Sequence, residues 1–147
     1  HNDMRARGLH SLEWLLQIQT HPHEGHLSLI GNRGWFPHGG KKSPFDQQPL
    51  DAAALIDACY EAYLATQEER WLKSMSTCFD WFLGKNDVHE VVCDFSTGSC
   101  KDGLHSAGVS QNQGAESTLA WLMSLHRLYQ VSQESSLVEA EAEASHE

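Results

Sequence analysis

The sequence predicts an all-α fold of antiparallel helical hairpins. Four segments repeat their apolar residues with a helical period, and none alternates with the two-residue period of a half-buried strand. The connections between the segments differ sharply in length, one very short and two long, as in a helical-hairpin array. Apolar residues make up 40% and charged residues 20% of the 147, a composition that supports one globular core.

The first helix is expected from Arg5 to about Thr20, with Leu9, Leu12, Trp14, Leu15 and Leu16 as its apolar stripe. The second is expected from Pro49 to about Ala65, since proline is favoured at the first helical position. Ala52, Ala53, Ala54, Ala58, Ala62 and Ala65 make it slim, so neighbours can approach closely. The third is expected from about Gln67 to Leu83, opened by a Thr66–Glu69 capping box and closed by Gly84. Trp71, Leu72, Met75, Cys78, Phe79, Phe82 and Leu83 share one of its faces. The fourth is expected from about Gln113 to Gln130, with Leu119, Leu122, Met123, His126 and Tyr129 along one side. These helices form a single domain over residues 1–131. Residues 132–147 are a polar, acidic tail, expected as frayed helix or disorder.

The net charge of −10 disfavours nucleic acid and anionic membrane surfaces, which require a basic footprint. No segment has the uncharged apolar length of a membrane helix and no secretory leader is recognisable, so a cytoplasmic protein is expected. The chain begins at His1 rather than Met, and a piece of a longer protein is expected. Cys59 and Cys78 fall on apolar helix faces, whereas Cys93 and Cys100 flank a turn-rich loop. Reduced thiols are expected, with a Cys93–Cys100 disulfide as the alternative in an oxidising compartment.

The two long connections, about 21–48 and 84–112, carry the candidate chemistry. Chain reversal brings both to one end of the bundle, beside the N-termini of the second and fourth helices. Their mixture of aromatic and glycine residues fits ordered loops that line a ligand. Gln47, Gln48, Asn112 and Gln113 carry amides that both donate to and accept from sugar hydroxyls, and Arg33 adds a fork of donors. Trp35 is either a sugar platform or a cover for helix ends. Asp46 and Glu116 are candidates for a carboxylate pair of the kind glycoside chemistry uses, with helix capping as the plain alternative. His105 is either an acid/base or a loop histidine satisfied by backbone. Arg33 and Asp102 either contact ligand or pair with each other. His21, His23 and His26 follow no established zinc spacing, so no metal is expected. No nucleotide-binding or serine-hydrolase motif occurs, and no cofactor is expected.

The segments GHLSLIGNRGWFPHGG, FDQQPLDAAALIDA, RWLKSMSTCFDWFLGKND and TGSCKDGLHSAGVSQNQGAESTLAWL resemble a bacterial family over about Arg5 to Gln130. That family is the helical region after the catalytic domain of group 1 (family 4 type) glycosyltransferases, itself similar to the (α/α)6 toroids of six-hairpin glycosidases and sugar epimerases. The resemblance implies a partial toroid, a saccharide ligand and an upstream glycosyltransferase domain. The chain has no βαβ unit of its own for a nucleotide sugar, so glycosyl transfer by this chain alone is not expected. An incomplete array leaves apolar helix faces uncovered, which implies homo-oligomerisation or a covering partner. The competing expectation is a structural or assembly module without a ligand.

Overall fold

The computed structural model describes residues 2–144, with side-chain surroundings over residues 3–134. Among them are four helices, α1 (Asn2–Ile18), α2 (Pro49–Thr66), α3 (Arg70–Asp80) and α4 (Ala115–Ala144). A minimal antiparallel ladder joins β1 (Leu104–His105) to β2 (Gly108–Val109), pairing Leu104 with Val109 and His105 with Gly108. The fold is therefore mostly helical with one small sheet. Strands of two residues are too short to show alternation, so periodicity does not reveal them.

α2 is the central element and packs against the other three helices. Proline stands at its start, and Ala52, Leu55, Ile56, Cys59, Tyr60 and Ala62 are buried along it. The helix ends where Gln67 turns left-handed (φ 59°) and donates its N–H to Tyr63 O at 2.7 Å. This reversal replaces the expected capping box. Thr66 is still part of α2, its hydroxyl donating to Ala62 O at 2.8 Å, and Glu69 makes no side-chain cap bond. α3 consequently begins at Arg70, three residues later than the sequence predicts. Past Asp80 the chain tightens, with Phe82 N donating to Phe79 O and Leu83 N to Asp80 O, both at 3.0 Å.

The core sits between α2, α3, α4 and the two long loops. Phe79 and Phe82 lie 5.3 and 5.4 Å from Trp121, and Trp81 meets Phe82 edge-on at 5.3 Å. Each such pair adds about 0.5–1.5 kcal/mol to the burial of its rings. Leu27 and Leu29 from the first loop, and Val92 and Leu104 from the second, complete this cluster. The loops are part of the core.

α4 differs from expectation in its orientation. Its buried face is Ser117, Ala120, Trp121 and Ser124, whereas Leu119, Leu122, Met123 and Tyr129 are exposed. The helix is apolar on both sides, and the bulk of Trp121 decides which side faces the core. Past Gln130 the helix continues through the acidic segment to Ala144, and Glu134 accepts a 2.8 Å bond from the Tyr60 hydroxyl of α2. The side chains of Leu137 and Val138, the tail's expected anchors, and residues 145–147 lie outside the described residues. No described helix is long and apolar enough to cross a membrane.

Candidate functional site

The two long loops meet through a pair of backbone bonds between Gln47 and Leu104, which places them at one end of the bundle. Two glycines allow this crossing. Gly103 has φ +130°, and a Cβ there would stand 2.0 Å from Gln47 O. A Cβ at Gly31 would stand 2.1 Å from Phe45 O, within the fold of the first loop.

Beneath the crossing lies a buried polar knot. The Gln47 side chain is fully buried; its amide N–H groups donate to Pro44 O at 2.9 Å and to Asp87 Oδ2, and its Oε1 accepts from Trp81 Nε1 at 2.9 Å. The other Asp87 oxygen bonds His26 Nε2 at 3.0 Å. Burial pushes the Asp87 carboxyl upward, but bonds from His26, Ser28 and Gln47 together outweigh it and hold the carboxyl below its ordinary range. Lys42 donates to both oxygens of Ser28, and burial lowers its ammonium pKa, partly offset by the Asp87 charge. His26 also lies 3.4 Å from Glu24 and stacks on His21 at 4.7 Å. Among the described residues no group of three or more His, Cys, Asp or Glu side chains is placed to hold a metal ion.

A second polar cluster caps α4. Asp102 accepts from Gly114 N at 2.6 Å, from the Ser117 hydroxyl at 2.8 Å and from the Asn112 amide. The Gly114 bond is the largest influence, and the set holds the Asp102 carboxyl below its ordinary range. Gln113 accepts from the Ser99 hydroxyl at 2.6 Å. Gln47, Asp102, Asn112 and Gln113 thus spend polar groups on the protein itself. Arg33 does not pair with Asp102. Its Nε donates to Asp46 Oδ2 at 2.9 Å, and Asp102 faces the helix start instead.

What remains open at this end is a rim around a cleft of about 300 Å³ between α1, α2 and the first loop. Its walls are Leu12, Leu15, Ile30 and Leu55, with Gln19, Ala54 and Ala58 beside them, and Trp35 and Asp51 also line it. Trp35 is 64% exposed and sits at φ +55°, a backbone conformation uncommon for a bulky residue. Asp51, in the first turn of α2, is exposed by area, yet the cleft wall partly desolvates its carboxyl. That desolvation, and then the Glu116 carboxylate, push its pKa up. The Arg33–Asp46 pair belongs to the same loop, immediately before Gln47. Glu116 is exposed in the first turn of α4, Gln48 is half-buried just before α2, and His105 is half-buried in β1.

A larger groove of about 410 Å³ runs along α2 and α4, lined by Asp57, Leu122, Met123, His126, Arg127 and Gln130. Arg127 there bonds Asp57 at 2.6 Å and Gln130 at 3.1 Å, so much of the groove's polarity is internally matched. It is a less suitable polar-ligand site than the Trp35 cleft.

Sequence reasoning missed Asp51 and the Lys42–Asp87–His26 knot. Asp51 was accessible to it: on α2 it shares a side with Ala54, Leu55 and Ala58, a carboxylate at one end of an apolar stripe. The knot was not, because its members come from distant positions in the chain. No family model matches the chain, and no curated protein matches it.

Proposed function

We propose that the chain is a saccharide-binding helical domain whose ligand sits on the Trp35 rim. The indole serves as a platform for the C–H face of a sugar ring, with Arg33, Asp46, Asp51 and Glu116 as hydroxyl partners. The observation that carries this reading is the cleft itself: an exposed tryptophan and a carboxylate share one apolar concavity. Asp51 offers the cleft a partly desolvated carboxylate that accepts from hydroxyls, and Asp46, bonded to Arg33, is a second acceptor. The ligand set is narrower than the polar content of the loops, because Gln47, Asp102, Asn112 and Gln113 serve the fold. Gln48 and His105 contribute only where a longer saccharide reaches along the loops.

In the same reading the four helices are part of an (α/α) toroid in a cytoplasmic glycosyltransferase-like protein. A separate upstream domain carries the nucleotide-sugar chemistry, and the exposed stripe of α4 is covered by neighbouring helices or a second copy. The chain binds and positions saccharide; it does not transfer it.

The alternative is an assembly module without a ligand, favoured by the amount of loop polarity spent on the Gln47 and Asp102 clusters. Titration of the isotope-labelled protein with a panel of neutral mono- and oligosaccharides separates the two. Binding shifts the Trp35 indole resonance, and Trp35→Ala removes the response without changing the melting temperature. If no saccharide moves that resonance at millimolar concentration, the assembly reading stands.

A further inference from the structure

Cys93 and Cys100 face each other across an antiparallel bridge in the second long loop. Asp94 N donates to Ser99 O at 2.8 Å and Lys101 N donates to Val92 O at 3.0 Å. The ladder bonds therefore flank the two cysteines instead of joining them. This is the non-hydrogen-bonded pair of an antiparallel ladder, where opposed Cα atoms stand about 4.5 Å apart and side chains leave on one face. A disulfide requires a Cα separation of roughly 4.4–6.8 Å, a range that includes the usual spacing of such a pair. Both thiols are free and buried, Cys93 Sγ bonding Phe82 O at 3.6 Å and Cys100 Sγ bonding Lys101 O at 3.4 Å. Sulfur donors of this kind are weak, and rotation about χ1 at each cysteine turns the sulfurs toward one another.

We propose that Cys93 and Cys100 are a thiol–disulfide site, converted to an intramolecular disulfide by exchange with a low-molecular-weight disulfide such as oxidised glutathione. One cysteine thiolate attacks a glutathione sulfur and releases a glutathione thiolate. The opposed cysteine then attacks the mixed disulfide and releases the second glutathione. Two protein S–H groups are lost and two glutathione thiols form, so two electrons pass from the protein to the oxidant. Burial pushes both thiols up, Cys100 to about 12, so the folded state reacts slowly and the bond forms as the hairpin closes.

The hairpin is tied to α4, because Cys100 N donates to the Thr118 hydroxyl at 3.3 Å and Ser99 bonds Gln113 at 2.6 Å. Oxidation closes the loop between Cys93 and Cys100 and so pins the segment that positions the start of α4. Cys59 and Cys78, buried and in mutual contact between α2 and α3, supply an internal comparison.

The test is refolding of the full chain from denaturant in graded reduced and oxidised glutathione, followed by acid quench, alkylation and tryptic mapping. Refolding removes the barrier of burial, and the tryptic peptide 86–101 holds both cysteines. The expected result is that this peptide becomes lighter by two hydrogens and resists alkylation, while Cys59 and Cys78 remain alkylatable. The oxidised protein then melts several degrees higher than the reduced protein, as closing a short loop predicts. Cys93→Ser abolishes that oxidant-dependent rise. Separate glutathione adducts on Cys93 and Cys100, or two alkylated thiols at the most oxidising ratio, would overturn the proposal, as would preferential pairing of either with Cys59 or Cys78.

Discussion

Gln47 and Leu104 exchange both of their backbone hydrogen bonds, each N–H donating to the other's carbonyl at 2.9 Å. This is a hydrogen-bonded antiparallel pair formed between two loops. It joins the start of α2 to the segment that leads into α4, and the side chain of Gln47 then reaches below it to Trp81 and Asp87.

Gly103 is the residue this crossing cannot replace. Gly103→Ala adds a methyl 2.0 Å from Gln47 O at φ +130°, and the loops must part to hold it. A loss of about 3 kcal/mol or more is expected in urea unfolding. Gly98→Ala is the control, with positive φ but nothing within 4 Å. There the cost is about 1–2 kcal/mol, from the left-handed backbone alone. Equal losses at the two positions would show that backbone conformation, and not the crossing, sets the requirement.

Stability falls on the acid side through Asp87. Its folded carboxyl is held below the ordinary range, so the unfolded chain binds a proton more readily than the folded one. The contribution is complete above roughly pH 4, the ordinary carboxylate value, and is lost as pH falls through the folded pKa. Asp87→Asn flattens this part of the stability–pH profile. It also weakens the Gln47 and His26 bonds, so the variant is less stable at neutral pH. A slope unchanged by the substitution would assign the acid loss to other carboxylates.

Asp51 carries the opposite sign. Its folded carboxyl is raised, so the folded state binds the proton more readily and the ionised form is the disfavoured one as pH rises through the folded pKa. Glu116→Gln removes one of the two causes and lowers the Asp51 titration midpoint, read by carboxyl NMR. Asp51→Asn leaves neutral-pH stability unchanged or slightly raised. A midpoint unmoved by Glu116→Gln would place the two carboxylates beyond electrostatic reach.

Asp102 caps α4 from outside the helix. Asp102→Ala leaves Gly114 N and the Ser117 hydroxyl without this acceptor, at a cost of about 1–2 kcal/mol. Amide exchange at the first turn of α4 should accelerate more than exchange in α3, which the cap does not touch. Uniform acceleration would mean that the whole domain has loosened and that Asp102 has no local role.

The polar residues of the candidate site were legible only as an assortment. The glutamine and asparagine amides near the two helix starts read as sugar partners, yet the same groups that bind hydroxyls also bind peptide groups and indoles. Nothing local to FDQQP says that Gln47 lies under Trp81 while Gln48 stays at the surface. The stripe Leu119, Leu122, Met123 and Tyr129 was legible as apolar, but its exposure was not, since α4 offers Trp121 on the other side.

By itself the sequence determined the four helices, the tight turn between α2 and α3, and the two long loops. Those features depend on periodicity, proline and glycine placement and chain length, all of which act over a few neighbouring residues. Only the tertiary structure decided which polar groups the fold consumes, and that Trp35 and Asp51 line one cleft. A buried hydrogen bond such as Gln47 to Asp87 joins residues remote in the chain, and its partner becomes known only once packing has brought the two loops together.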